Sequence, residues 1–307
     1  MQRYYQTDLK YVLIWEPRKL KFGNKSNRNT PTGQKIFIKQ KCQYFNCYVS
    51  YDENFRNKDH KKFDAVIFKV NNIFNYTPKE INITRSKEQL YIFHSMESSE
   101  LFPVCNSMFD NFFNLTWTYR LNSDIPHPFL NIYNENNEVI GPKRYINWTR
   151  KMTHNNKFKN KIRFKNKAIA WVVNKCKLKV KHKEFIDEFR NEIEGYNYTV
   201  DLYGPCGDKR CPGKSMQSCH NLIEKNYHFQ LVVEETFAAD YVTEKMVRVM
   251  NTLAIPILLG GSNYRRPRSY VCDLCAKLNE RNSTKTYGRF RSWWNPDYKE
   301  HCKRLLG

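Results

Sequence analysis

Much is missing from this 307-residue sequence, and each absence narrows what it can be. No apolar run reaches the roughly 18–20 residues that a helix needs to span a bilayer. The opening MQRYYQTDLK lacks the apolar stretch of a signal peptide. There is no internal repeat and no low-complexity tract. Acidic residues are scarce: 30 Asp and Glu face 52 Lys and Arg, a formal charge of +22. Such a balance suits nucleic acid, an anionic membrane surface or a phosphorylated ligand. Yet no RNA-recognition, zinc-finger or helix-turn-helix signature interleaves with the charge, whose densest run is Lys151 to Lys183. A nucleic-acid binder is the weaker reading; a solvated interdomain surface that also attracts a nucleotide is favoured.

What is present points to a globular, two-domain, oxidised protein. Apolar residues at 40% and aromatics at 15% are enough for real cores, and the length suits two domains. Ten cysteines include the clusters Cys42/Cys47, Cys206/Cys211/Cys219 and Cys272/Cys275/Cys302, suited to disulfides. Zinc is the rival for Cys272-x-x-Cys275, but no second CxxC and no spaced His pair accompanies it. No metal site is expected. Glycosylation sequons begin at Asn24, Asn75, Asn82, Asn114, Asn147, Asn197 and Asn282.

Along the chain, apolar runs read as strands over Tyr11 to Trp15, Phe63 to Val70, Gln89 to His94 and Phe113 to Arg120. An acidic loop, Met96 to Glu100, follows the third. Residues 141 to 166 are basic and unpatterned, which suits a linker. Beyond it come a strand at Ala168 to Val173, a helix at Lys183 to Glu194 and a strand at Val200 to Gly204. A cysteine-bearing loop then leads to Phe229 to Val233, another strand. In Asp240 to Gly261, Asp240 reads as an N-cap and Glu244 falls in the first turn, where the helix dipole favours negative charge. Ile255 to Leu259 reads as a strand buried on both faces. Strand, helix, strand in this order predicts parallel sheets, with ligands at the carboxyl ends of the strands.

Several of these segments together resemble one family, the α1,3-fucosyltransferases of glycosyltransferase family 10. YVTEK from Tyr241, followed by a helix and IPILLGGSNY, is similar to that family's donor-binding signature. FNLTWTYRLNSDI resembles its FNWT, TYR and SDI pattern, AIAWVVNKC its AWxVSNC, and TVDLYGPCG its DxYGxCG. FNC at Cys47 followed by DAVIF is similar to its N-terminal half, and CDLCAKL with KTYGRFRSWW to its C-terminal close.

The resemblance implies an α/β fold of two Rossmann-like domains facing across a cleft, the glycosyltransferase-B arrangement. Residues 1–150 would be the acceptor-side domain, 151–166 a basic linker and 167–307 a GDP-fucose-binding domain, apparently shortened. It implies inverting transfer of L-fucose from GDP-β-L-fucose to the 3-hydroxyl of N-acetylglucosamine in a glycoprotein glycan. The family's E-S-P loop reads Glu97-Ser98-Ser99, making Glu97 the implied base and Glu100 its nearest substitute. Tyr241 would contact the nucleotide, Glu244 the ribose hydroxyls and Lys245 the diphosphate. Thr243, Glu235, Lys181 and His182 belong to the same implied donor site, Arg120 and Asp124 to the acceptor side of the cleft. No cofactor is implied for the chemistry, although a divalent cation, Mn or Mg, could stimulate it. The implied partners are GDP-fucose and a glycan or glycoprotein acceptor. The implied setting is the Golgi lumen, as a type II protein whose membrane anchor lies outside this chain.

The sequence also departs from the family pattern. F-E-N reads Val233-Glu234-Glu235, the usual Arg after the SNC strand aligns with His182, and the Pro of E-S-P is Ser99. A stretch usual after Tyr270 is short, which puts the completeness of the second sheet in question. A degenerate member that binds nucleotide or glycan without turnover is the alternative.

Overall fold

The computed structural model describes residues 9–17, 32–55, 59–74, 81, 84–130, 132–133, 136, 139–141, 156–173, 180–213, 215–262, 271–279 and 285–306. The chain divides into two compact units, Met1–Arg144 with Arg265–Gly307, and Tyr145–Tyr264.

The first unit carries β1 (Lys10–Trp15), α1 (Lys35–Lys39), β2 (Cys47–Ser50), β3 (Ala65–Lys69), α2 (Val70–Ile73), β4 (Leu90–Ser95), β5 (Leu115–Thr118) and β6 (Ile125–Pro126). Its 6-stranded sheet has the order β2-β1-β3-β4-β5-β6, and each neighbouring pair in it is parallel. β7 (Ile132–Tyr133) and β8 (Val139–Gly141) form a separate antiparallel pair. The central strands are buried on both faces, which is why they read as continuous apolar runs.

The second unit carries α3 (Asn156–Arg163), β9 (Lys167–Val172), α4 (Val180–Gly195), β10 (Val200–Tyr203), α5 (Met216–Asn226), β11 (Tyr227–Val233), α6 (Glu244–Met250) and β12 (Ile255–Leu259). Its parallel 4-stranded sheet has the order β10-β9-β11-β12. The expected cysteine-bearing loop contains α5, capped by Ser215, and part of the expected linker is the helix α3. Asp201, buried in β10, accepts from the Tyr227 phenol and pairs with Lys209 at 2.7 Å. The DLY motif is thus part of a buried polar network.

Two expectations fail here for physical reasons. β12 is not buried on both faces: it is the last strand of its sheet, Ile255 is exposed and the rest of the strand is only partly buried. Pro256, which cannot donate to a ladder, sits in it as edge strands permit. Nor does Asp240 cap α6. It adopts a left-handed turn conformation (φ 63°), and Thr243 is the N-cap, its hydroxyl accepting from Lys245 N.

The chain then returns to the first unit through α7 (Val271–Asn279), α8 (Phe290–Trp294) and α9 (Tyr298–Leu306). This corrects the expected assignment of residues 265–307 to the second domain. Leu274, Cys275 and Leu278 of α7 join Phe37 of α1 in covering one face of the six-stranded sheet, over Val12, Ile14, Ile67 and Ile92. Phe290 and Trp294 of α8 complete the aromatic core on Phe93, at centroid distances of 4.7 and 4.8 Å. Each such pair is worth roughly 0.5–1.5 kcal/mol beyond its buried area.

Candidate functional site

Disulfides fix much of the first unit. Cys47 pairs with Cys275, joining β2 to α7, and Cys105 pairs with Cys302. In the second unit Cys211 pairs with Cys219, and Cys42 and Cys206 are disulfide-bonded too. The Cys272 side chain lies outside the described residues, and Cys105 is a bridge member that the sequence clusters did not include. Cys275 is therefore half of a bridge to β2 rather than a zinc ligand. Among the described residues no cluster of His, Cys, Asp or Glu could hold a metal.

At the carboxyl end of β4 the chain turns sharply. Ser95 Oγ accepts from Glu97 N and donates to Glu97 O, both at 3.0 Å, gripping the Glu97 backbone from two sides. Ser98 and Ser99 are buried, and Ser99 N donates to the Tyr119 phenol at 3.2 Å. Glu97 itself is only partly buried, and among the described residues its carboxylate has no hydrogen bond or ion pair. Glu100, by contrast, has a carboxylate oxygen 4.0 Å from His301 Nε2. Of the two acids, Glu100 faces a histidine and Glu97 does not.

Beside this loop, register aligns Lys69 with His94 and His94 with Trp117, at the carboxyl ends of β3, β4 and β5. His94 meets Trp117 edge-on at 4.7 Å, and Trp117 stacks on His127 at 5.8 Å. Burial pushes the His94 imidazole down to about 3, with His127 and Lys69 adding to the effect; burial likewise takes His127 to about 4. Both rings are neutral at pH 7.

Arg120 and Asp124, expected on the acceptor side, bond to the protein. Arg120 donates to the carbonyls of Trp293 and Trp294, the latter at 2.9 Å, and its guanidinium lies over the Trp293 ring. Asp124 accepts from Thr116, Lys285 and Tyr287. Both side chains are engaged within the first unit.

In the second unit, the loop between β11 and α6 gathers the expected donor residues. Glu234 is buried and accepts from Thr243 N at 2.9 Å and Thr243 Oγ1 at 2.8 Å. Burial pushes its carboxyl up, against the Thr243 hydrogen bonds and the Lys245 charge. Lys245 Nζ donates to Val233 O, the last carbonyl of β11, at 3.0 Å. Tyr241 is buried in the same loop, Glu235 is partly exposed, and Glu244 is exposed with Arg248 3.8 Å away. Gly261 admits no side chain, because a Cβ there would lie 1.8 Å from Phe237 O; the loops after β11 and β12 touch at that glycine. Lys181 and His182 fall in α4, but their side chains lie outside the described residues. Glu234, Thr243 and Lys245 thus form one connected group at the carboxyl end of a parallel sheet, where a cation and a helix start can meet a phosphate. The burial of Glu234 against Thr243 has no sequence signal, since nothing in VEE distinguishes a buried acid from a ligand-facing one.

Two family models match the chain: "Fucosyltransferase, N-terminal" over residues 7–130, and "Glycosyltransferase family 10 (fucosyltransferase) C-term" over residues 162–271. The chain belongs to glycosyltransferase family 10. It is a fucosyltransferase by this membership, and each family model falls on one of the two sheets. Alpha-(1,3)-fucosyltransferase C of Drosophila melanogaster is 24% identical over 95% of this chain and 79% of its own length. Glycoprotein 3-alpha-L-fucosyltransferase A of the same organism is 25% identical over 79% of this chain, which spans only 42% of that relative. A solved structure entitled "Crystal Structure of alpha1,3-Fucosyltransferase" is matched over 100% of this chain and 93% of its own, at 15% identity and a TM-score of 0.41, too distant a likeness to bear on the site.

Proposed function

We propose that this fucosyltransferase moves L-fucose from GDP-β-L-fucose to the 3-hydroxyl of an N-acetylglucosamine in a glycoprotein glycan, with inversion at the anomeric carbon. In this reading Glu97 takes the acceptor hydroxyl proton as that oxygen attacks the anomeric carbon and GDP departs from the opposite side. The transition state would have oxocarbenium character, like that of glycoside hydrolysis. The observation that carries the assignment is the Glu97 carboxylate, without a partner among the described residues, on a turn whose backbone is fixed at the carboxyl end of β4. Lys245 and the amides around Thr243 would bind the diphosphate of the donor, and Tyr241, Glu235 and Glu244 its nucleoside. Placement in the Golgi lumen as a membrane-anchored type II protein belongs to the same proposal, as does stimulation by Mn or Mg.

The names of the relatives support the 3-position, one of them naming a glycoprotein acceptor. The test is incubation with GDP-fucose and a panel of N-glycan core, antenna and glycopeptide acceptors, read by mass spectrometry. One added deoxyhexose, lost in Glu97→Gln while GDP affinity is kept, is the expected result. The alternative is a member that binds nucleotide or glycan without turnover. Tight GDP binding with no product on any acceptor would establish that reading instead.

A further inference from the structure

We infer that the segment from Trp294 to Cys302 is the positioning element of the Glu97 loop, with Asn295 as its principal residue. The inference rests on Glu97 being the base. Residues Met96 to Cys105 form a connection with no strand or helix of their own, and such loops are mobile unless tied down. This one is tied at three points by residues nearly 200 positions later. Asn295 Nδ2 donates to Ser99 O at 3.0 Å, and both residues are buried. Trp294 Nε1 donates to Phe102 O at 2.8 Å from a fully buried indole. Cys302 closes the disulfide with Cys105.

The Ser99 peptide is thereby held on both sides, its N–H by Tyr119 and its carbonyl by Asn295. Trp294 also packs edge-on against Tyr119, at 5.7 Å between ring centroids. Both ends of the Asn295 amide are engaged, because its Oδ1 accepts from Asp297 N at 3.0 Å just before α9 begins. A general base must be held to within roughly half an ångström, and a misplacement of about 1 Å can cost on the order of 100-fold. The clamp acts two residues from Glu97 and leaves its carboxylate untouched. Residues 272–307 lie beyond both family matches, so the clamp belongs to a part of the chain that those matches do not describe.

The experiment compares wild type with Asn295→Asp, which keeps size but turns an acceptor toward the Ser99 carbonyl, and with Trp294→Phe, which keeps a ring but removes the N–H. Melting temperature and GDP affinity serve as checks of folding, so that either variant suffices if the other fails to fold. Expected are kcat lowered roughly 10- to 100-fold, GDP affinity and donor KM within about twofold of wild type, and an acid limb of the kcat–pH profile displaced by about half a unit. A folded variant with wild-type kcat and an unmoved acid limb overturns the inference. Glu97→Gln is run alongside: if it keeps full turnover, the base assignment fails, and a clamp variant that nonetheless loses kcat shows the failure to lie there.

Discussion

The phenol of Tyr287 donates to Asp124 Oδ2 at 2.6 Å, joining residues 163 positions apart. Thr116 adds donation from N and from Oγ1, both at 2.9 Å, and Lys285 Nζ lies 2.8 Å from Oδ1. Burial works to raise the Asp124 carboxyl, yet the bonds from Lys285, Tyr287 and Thr116 outweigh it and hold the group below the usual carboxylate range. A hydrogen bond to a charged group is worth about 1.5–3 kcal/mol, so Tyr287→Phe should lower unfolding stability by about that amount in urea melts at pH 7. The folded pKa is depressed, so this contribution is complete above the ordinary carboxylate value near 4 and is lost as pH falls through the folded value. Asp124→Asn should therefore be destabilising at pH 7, and by less as pH falls below the ordinary carboxylate value.

The histidines beside Trp117 set a second pH dependence, in a higher window. With folded values of about 3 for His94 and about 4 for His127, each stays neutral while the unfolded chain takes up a proton near 6.5. Stability should thus be independent of these groups above pH 7. It should decline as pH drops below about 6.5, by up to about 1.4 kcal/mol per pH unit for each histidine. Denaturant unfolding at pH 7, 6 and 5 measures the slope, and His127→Gln should make it shallower. A slope unchanged by that substitution would show that His127 is solvated.

Most strands were legible because the inner strands of both parallel sheets are largely buried, so AVIF in β3, LYIF in β4, AIAWV in β9 and LVV in β11 appear as apolar runs. The segments beyond their carboxyl ends, with Glu97 in a loop and Lys245 in the first turn of α6, followed from those strands. The short β2 did not: CYVS has too little length to show a period, and a bridge to Cys275 secures it. Helix α5 was hidden by a mixed, polar sequence and a cysteine read as part of a loop. No local pattern could reveal that Asn295 reaches Ser99, since their contact spans 196 positions. Arg120 and Asp124 illustrate the remaining difficulty: a motif names polar residues but not whether they face a ligand or the protein.

Lys245 offers a test of the proposed donor site. Its ammonium rests on the Val233 carbonyl at 3.0 Å, a neutral acceptor that a diphosphate would readily outcompete. Lys245→Ala should remove about 2–4 kcal/mol of transition-state stabilisation, by analogy with the loss of one oxyanion donor. That corresponds to a fall of roughly 30- to 1000-fold in kcat/KM for GDP-fucose. Calorimetric titration with GDP should show a parallel loss of affinity, with the melting temperature little changed because the ammonium makes one partly exposed bond. A variant that binds GDP as tightly as wild type would remove Lys245 from the donor site.

The sequons divide by the same structural logic. Asn114 is buried; its Oδ1 accepts from Arg85 and, at 2.8 Å, from Tyr91 N, while its Nδ2 donates to Lys285 O at 3.1 Å. A glycan there would replace one hydrogen of the buried amide nitrogen and could not fit within the core, so a chain modified at Asn114 should not reach the native fold. Asn197 is the opposite case. It is exposed in the turn between α4 and β10, with φ at 62°, a conformation Asn tolerates, and its neighbours Tyr196 and Tyr198 are 72% and 60% exposed. Produced through a eukaryotic secretory pathway, the protein should carry N-glycan at Asn197 and none at Asn114. Glycopeptide mass spectrometry before and after enzymatic deglycosylation reads both sites. Asn197→Gln should lose one glycan and still fold, whereas Asn114→Gln should fall in yield for want of the Arg85, Tyr91 and Lys285 bonds, and a folded protein glycosylated at Asn114 would contradict the packing described around it.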